Sequence, residues 1–286
     1  MIHDETIERL ITGSIDFHVH PCPDPFNERK LNVLELASQA KALGMRAVVA
    51  KNHQFGTAGL AALVNQIIPD FLVVGSLCLN REVGGLNPEV VEAAIRGGAR
   101  VFWMPTISSV IDSKGMPGIS LLDEKDRLLP VVITIIEMIK DHNLVLGTGH
   151  VSMKEIFALA IEARRLGAKI TITHPMTTGF GCKLTLEQQL ELVSMGAVIE
   201  HCFVACMPEL GGLDPRIMID CIRAVGVANC ILDTDMGRKS SVSPLEGFRN
   251  MIFTMLQCGL SVEELEILIK VNPARILGLA DTEGQS

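Results

Sequence analysis

The chain has 286 residues, of which 48% are hydrophobic, and its formal net charge is −8. This length fits one α/β barrel of about 250 residues, and the acidic balance argues against general nucleic-acid binding. No apolar run reaches the roughly 18 uncharged residues that a membrane span needs, and Met1–Arg9 lacks the apolar centre of a signal peptide. With eight cysteines that are typical of reduced thiols, we predict a cytoplasmic protein that binds neither nucleic acid nor membrane.

Helical segments alternate with short apolar runs along the chain. The helical pattern Leu31–Leu43 stops at a glycine before the apolar run Met45–Ala50. Asn87-Pro88 is typical of an N-cap followed by proline at the first helical position. Ser152–Glu155 and Thr185–Gln188 have the spacing of capping boxes, and each helix again ends at a glycine before an apolar run. This alternation predicts sequential βα units and a parallel sheet.

Eight apolar runs predict eight strands. They end near His18, Lys51, Cys78, Pro105, His150, His174, His201 and Asp233. The intervals fit one strand, loop and helix each, so we predict a closed (β/α)8 TIM barrel that forms a single domain over residues 1–286. Helices at about residues 261–280 should pack on it, and the long interval around Ser108–Arg127 should hold a loop beside the active face. An open doubly wound sheet is the alternative, but no glycine-rich phosphate loop follows the first strand.

Histidines and aspartates follow several of these strands, at the end where a barrel places its chemistry. In His18-Val19-His20 the alternation of a strand points both imidazoles the same way. That spacing suits two ligands of one metal, and imidazole with carboxylate favours zinc. The motif alone is a weak signal, and its coincidence with Asp16 and with histidines at later strand ends is what predicts a metal site.

The pattern Asp16-x-His18-x-His20 on the first strand, with His150 and His174 on the fifth and sixth and an aspartate on the eighth, resembles the amidohydrolase superfamily of metal-dependent hydrolases. The tail around residues 271–279 is similar to that family's closing helix, so the resemblance spans nearly the whole chain. It implies a TIM barrel in which His18 and His20 bind one divalent metal and His150 and His174 bind another. Zinc, as one or two ions, is the expected cofactor.

Two aspartates, Asp233 and Asp235, compete for the position on the eighth strand. The resemblance implies that this aspartate touches the first metal and acts as a base toward the attacking water. Thr234-Asp235 resembles the family's Thr/Ser-Asp ending, so we assign Asp235 as ligand and base. Asp233 is then expected to be structural.

The chain departs from the family on the fourth strand, Val101–Pro105, which has no lysine or acid where many two-metal members carry a carboxylated lysine. Lys51, after the second strand, either bears a carbamate that bridges two metals or binds an anionic substrate as an ammonium. Either role is favoured over a lysine with no partner, because a lysine at the end of an apolar strand is costly to bury alone. If Lys51 does not bridge, a single metal is expected.

His53, Arg81 and His201 also follow predicted strands and are candidate substrate-binding residues. The imidazoles would donate to a developing oxyanion, and the guanidinium would clamp a carboxylate. Glu200, just before His201, is expected to point to the opposite side of its strand.

These features predict a metal-dependent hydrolase that activates water to cleave an amide, a cyclic amide or a lactone in a small molecule. Asp235 would pass the water's proton to the leaving group. The alternatives are a metal-dependent decarboxylase of the same superfamily, a phosphoesterase and a non-catalytic metal-binding scaffold. Gly84–Pro88 and Trp103–Thr106 resemble a little-characterised branch, so the resemblance does not imply the substrate, and the oligomeric state is open, with a homo-oligomer as one alternative.

Overall fold

The computed structural model describes residues 4–279, and in this range eight parallel strands alternate with helices. The strands are β1 Ile15–Val19, β2 Ala47–Ala50, β3 Leu72–Cys78, β4 Ala99–Trp103, β5 Val145–Gly147, β6 Lys169–Thr173, β7 Val198–Cys202 and β8 Cys230–Asp233. Their order in the sheet follows the chain, from β1 to β8.

The helices form an outer layer around these strands. They are α1 Asp4–Ile11 before β1, then α2 Val33–Ala42, α3 Ala58–Ile67, α4 Pro88–Arg96, α5 Pro130–Asp141, α6 Met153–Leu166, α7 Leu186–Ser194, α8 Pro215–Val225 and α9 Pro244–Gln257, one after each strand, and finally α10 Val262–Glu266 and α11 Asn272–Leu277. A π-helical turn, Ile267–Val271, joins the last two. No helix within residues 4–279 is long and apolar enough to cross a membrane.

The sheet closes where the end of β1 meets the segment after β8. Val19 forms a parallel bridge with Met236. The backbone amide of His20 donates to the carbonyl of Met236 at 2.8 Å, and that of Asp235 donates to the carbonyl of His18 at 2.8 Å. The predicted (β/α)8 barrel is confirmed, and its closure places Asp235 beside the two histidines of β1.

The helix starts predicted from the sequence form as expected. Asn87 accepts a hydrogen bond from the amide of Glu89, with Pro88 at the first helical position of α4. Ser152 and Thr185 close capping boxes at the starts of α6 and α7. Because α6 and α7 follow the loops that carry His150 and His174, these caps define where those loops end.

The barrel interior below the site is packed with apolar side chains. This core includes Ile15, Phe17, Ala47, Val49, Val74, Val101, Trp103, Val145 and Ile231. Ala274 and Leu277 of α11 belong to the same core, and Asn272 donates to the carbonyl of Cys230, the first residue of β8, at 2.7 Å. The C-terminal helices therefore close the amino end of the barrel, opposite the site. The ends of the predicted domain, residues 1–3 and 280–286, lie outside the described residues.

Candidate metal centre

Three potential ligand atoms meet at the carboxyl end of the barrel. The Nε2 atoms of His18 and His20 lie 3.3 Å apart, and each lies 3.1 Å from Oδ1 of Asp235. Two atoms bound to one zinc ion at 2.0–2.1 Å with tetrahedral angles would be about 3.3–3.4 Å apart. The three atoms thus have the spacing of ligands around a single cation, and the structure brings Asp235 rather than Asp233 to the histidines.

A second pair of imidazoles lies beside this group. Nε2 of His150, after β5, is 3.1 Å from Nε2 of His174, after β6. The rings of His18 and His174 stack with their centroids 6.1 Å apart, so both groups share one site. Phe180 packs against His150 and His174 on one side, with ring centroids 5.6 and 5.0 Å away.

Carboxylates orient two of these histidines from behind. Nδ1 of His18 lies 2.6 Å from Oε1 of Glu200, and Nδ1 of His150 lies 2.6 Å from Oδ2 of Asp112. A carboxylate at Nδ1 holds the ring proton there and leaves the lone pair of Nε2 for a metal. Both Nε2 atoms face their partner histidines, so these contacts prepare each ring as a ligand.

The backbone carries strain at two of the candidate ligands. Asp235 has φ 51° and His174 has φ 32°, in the left-handed region that residues with a side chain rarely adopt. Such outliers cluster at functional sites, where surrounding contacts hold them. At His174 those contacts include Thr177 Oγ1, 3.0 Å from Nδ1, and Gly181, where a Cβ would lie only 2.6 Å from the imidazole Cε1.

Burial and charge keep most of these groups in their metal-binding forms. Burial lowers the pKa of His20 to about 3, and it also lowers the pKa of His150 and, more strongly, of His174. Burial would raise the pKa of Asp235, but His18 and His20 outweigh it and hold that pKa well below its usual range. At neutral pH the site therefore presents His20, His150 and His174 as neutral imidazoles and Asp235 as an ionised carboxylate. At His18 burial is outweighed by Asp235, whose charge raises the pKa of that imidazole.

Lys51 is buried between the two histidine groups. Its side chain is 1% exposed, and Nζ lies 2.9 Å from Nε2 of His18 and 4.5 Å from the centroid of the Trp103 ring. No carboxylate within the described range forms an ion pair with it. Burial lowers the pKa of His174, and the charge of Lys51 acts in the same direction, so this amine influences both groups.

A cavity of about 1180 Å³ opens above the centre. His20, Lys51, His53, His150 and Asp235 line its floor. The loop between β4 and α5 contributes Ile107, Ile111, Asp112 and Lys114, in agreement with the loop predicted around Ser108–Arg127.

His53 is the predicted substrate-binding residue that the structure brings to this cavity. Its Nδ1 lies 2.8 Å from Oγ1 of Thr106, which also accepts a hydrogen bond from Nδ2 of Asn80 at 2.6 Å. These contacts fix the orientation of the His53 ring, and the tautomer with its proton on Nε2 would present a donor to the cavity.

The other two predicted substrate-binding residues do not line this cavity. Arg81 is exposed and does not line the cavity, because its guanidinium donates to the carbonyl of Pro117. His201 is fully buried with no hydrogen bond to either ring nitrogen, and burial lowers its pKa to about 3. The two faces of β7 are the reverse of those predicted, since Glu200 reaches His18 and His201 points away from it.

Two acidic residues below the centre have structural environments. Asp16 accepts hydrogen bonds from the hydroxyl of Thr234 at 2.6 Å and from its amide at 3.1 Å, which ties β1 to β8. Asp233 has no partner for either oxygen, and burial raises its pKa well above the usual range. Glu200, Cys202 and Asp233 form an enclosed cluster beneath His18, away from the cavity where a substrate would bind.

Sequence reasoning missed three residues of this site. Glu200 was placed on the wrong face of its strand, and Asp112 and Thr177 lie in loops whose sequences have no metal-site pattern. The only available signal was the alternation along β7, which predicts that Glu200 and His201 face opposite sides but not which one faces inward.

Solved structures with the same architecture include barrels of the amidohydrolase type. One is an amidohydrolase from Pseudomonas aeruginosa, with a TM-score of 0.66 and 11% identity over 96% of this chain and 97% of that chain. Another is a probable 2-pyrone-4,6-dicarboxylic acid hydrolase from Acinetobacter baumannii, with a TM-score of 0.63 and 14% identity over 93% of this chain and 100% of that chain. A third is an uncharacterised TIM-barrel protein from Bordetella bronchiseptica, with a TM-score of 0.58 and 10% identity over 93% of this chain and 98% of that chain.

The fold is therefore a TIM barrel that solved amidohydrolases share, and the resemblance inferred from the sequence is confirmed at the level of the fold. No curated protein matches the chain. The model of DUF6282, a family of unknown function, matches residues 13–200, and the chain belongs to this family.

Proposed function

We propose that this protein is a metal-dependent hydrolase that cleaves an amide, a cyclic amide or a lactone bond in a small molecule. The observation that supports this most is the meeting of His18 Nε2, His20 Nε2 and Asp235 Oδ1 within 3.3 Å of one another. They lie at the carboxyl end of the barrel, where this fold places its active sites.

The donor set fits a divalent cation. The lone pair of His18 Nε2 and the charged oxygen of Asp235 face each other at 3.1 Å, an arrangement that a positive charge stabilises. Two imidazoles and one carboxylate are ligands that suit zinc. A bound metal of this kind polarises a substrate carbonyl and lowers the pKa of water.

The chain's own residues would handle the proton and the substrate. Asp235, ionised and lining the cavity, accepts the proton of the attacking water and delivers it to the leaving group. His53 donates its Nε2–H to the oxygen of the substrate carbonyl as negative charge develops there.

His150 and His174 provide ligands for a second ion, and we propose that Lys51 carries a carbamate between the two sites. An ammonium 2.9 Å from Nε2 of His18 would compete with a dication for the same lone pair. The ammonium first loses one proton, and reaction of the resulting neutral amine with CO2 forms an N–C bond and releases a second, so that a positive group becomes an anionic one. The missing carboxylate partner of this buried lysine favours that reversal of charge.

Metal analysis tests the proposal directly. The double variant His18→Ala, His20→Ala should lose at least one equivalent of metal, measured by plasma emission against wild type. His142→Ala, which replaces an exposed histidine at the end of α5, should keep the full content. Wild-type metal content in the double variant would refute the assignment of His18 and His20 as metal ligands.

Turnover of a panel of lactones, amides and phosphoesters in 18O-labelled water tests the reaction itself. Hydrolysis incorporates solvent oxygen into the acid product, whereas decarboxylation by the same centre does not. Phosphoester cleavage without lactone or amide cleavage would replace the proposed substrate bond.

A further inference from the structure

Arg29 is a buried cation on the wall of the cavity, in the loop between β1 and α2. Its side chain is only 6% exposed, and Nε and Nη2 lie 2.7 and 2.6 Å from Oδ2 of Asp24. The side chain of Asp24 is fully buried, and its Oδ1 accepts hydrogen bonds from the amides of Phe26 and Asn27 at 3.0 and 2.9 Å. The guanidinium is therefore fixed in place before any ligand arrives.

This ion pair uses one edge of the guanidinium. Nη1 of Arg29 has no hydrogen-bond partner within residues 4–279, so its two N–H groups can bind another acceptor. Arg is well suited to this because its five donors lie in one plane and match a carboxylate.

A second arginine stands beside it. Arg29 and Arg238 form an antiparallel bridge, flanked by hydrogen bonds from the amide of Lys30 to Gly237 at 2.9 Å and from that of Lys239 to Glu28 at 3.1 Å. Residues directly opposite in such a pair project to the same side, and like charges there are destabilising unless an anion lies between them.

Lys239, the cation next to Arg238 in the chain, forms an ion pair, whereas Arg238 forms none with the described residues. Nζ of Lys239 pairs with Glu28 at 2.9 Å. The exposed side chain of Arg238 lines the cavity and has no ion pair or hydrogen bond to any described residue. The two arginines thus form a positive site in a protein whose net charge is −8.

The position of the arginines relates this site to the metal centre. Arg29 lies in the loop after His20, and Arg238 lies three residues after Asp235, so the segments that follow β1 and β8 supply the two cations as well as His20 and Asp235. Both arginines line the same cavity as His20 and Asp235.

We propose that Arg29 and Arg238 bind a carboxylate of the substrate, which makes the substrate an anionic lactone, amide or cyclic amide. Its carboxylate lies on the arginine wall while the bond to be cleaved faces His18, His20 and Asp235. The assignment rests on the proposed function for the reaction, but binding of the anion is measured without turnover.

Isothermal titration calorimetry of the full-length, metal-loaded protein with glutarate tests this site, with glutaramide as the neutral probe of similar shape. Wild type should bind glutarate more tightly than glutaramide. Arg29→Lys, which keeps a charge for Asp24 but not the planar donors, and Arg238→Gln should each weaken glutarate binding by about 10-fold or more. Lys239→Gln removes an adjacent charge from the same wall and should leave the affinity unchanged, and plasma emission should show equal metal in all variants.

Three outcomes would overturn the proposal: glutaramide binding as tightly as glutarate, wild-type affinity in folded Arg29→Lys and Arg238→Gln, or no detectable binding of glutarate to wild type. If Arg29→Lys does not fold, Arg238→Gln, on the exposed end of the wall, decides alone. Arginine-dependent binding of glutarate with no hydrolysis of any panel substrate would retain the anion site and reject the reaction. Hydrolysis of neutral substrates only, with no binding of glutarate, would retain the reaction and reject the anion site.

Discussion

Replacement of Glu200 by glutamine should weaken metal binding without unfolding the protein. Glu200 Oε1 lies 2.6 Å from Nδ1 of His18, and both side chains are 0% exposed. Glutamine keeps the shape and an acceptor oxygen but removes the charge that strengthens this hydrogen bond and raises the electron density at Nε2.

The expected size follows from this contact. Loss of the partner behind a ligating histidine typically lowers metal affinity by 10- to 100-fold, which is about 1.4–2.8 kcal/mol. The metal-free protein should not be destabilised, because Oε2 of Glu200 is buried without a partner. The new amide would lie near Asp233, whose two oxygens also lack partners.

Competition with a fluorescent chelator of known affinity gives the zinc dissociation constant of Glu200→Gln and wild type, and urea unfolding in the presence of chelator gives the stability of the metal-free forms. Asp233→Asn is the matched control, since Asp233 is equally buried in the same cluster but has no hydrogen bond to a histidine. Unchanged zinc affinity in Glu200→Gln, or an equal loss in Asp233→Asn, would refute the role of Glu200 behind His18.

Asp235→Asn should lower kcat by about 100-fold or more, the scale of a lost general base, while metal content falls less than in the double histidine variant. Near-normal turnover by this variant alongside an inactive but folded Asp233→Asn would reverse the two assignments. Lys51→Ala should lose metal, and bicarbonate should promote reconstitution of metal-free wild type. Full metal with a raised KM would show instead that Lys51 binds substrate as an ammonium. Burial lowers the pKa of His201 to about 3 in the folded state. Below about pH 6.5 the unfolded chain therefore takes up a proton that the folded protein does not, and the free energy of unfolding decreases as the pH is lowered. Between about pH 7.5 and pH 5, the unfolding free energy of His201→Leu in urea titrations should decrease by about 2 kcal/mol less than that of wild type. A difference between the two proteins that is the same at both pH values would contradict this.

Much of the architecture follows from local patterns in the sequence. Apolar runs of strand length, capping signals such as Ser152–Glu155 and glycines after helices act over a few residues, so they indicate eight βα units without knowledge of the fold. Once the strands are parallel and successive, their carboxyl ends meet, and His18, His20, His150 and His174 come together as expected.

The sequence could not establish which side of β7 faces inward. Alternation has a period of two, so it predicts that Glu200 and His201 point to opposite faces, but the phase depends on the register with β6 and β8. The register pairs Glu200 with Thr173 and Ile231. The position of His201 away from the cavity could not be predicted for this reason.

The loops depended still more on the tertiary structure. Asp112 reaches His150 from 38 positions away along the chain, and the pairing of Arg29 with Arg238 exists only because the barrel closes between β1 and β8. No local pattern encodes such contacts, since they result from the closure of the sheet and from loop conformation. The sequence by itself therefore determined the barrel, because strands and helices depend on local periodicity, and with it the end of the barrel at which most of the candidate ligands lie. The tertiary structure decided what supports the ligands and what surrounds the substrate, because those contacts join residues distant in the chain.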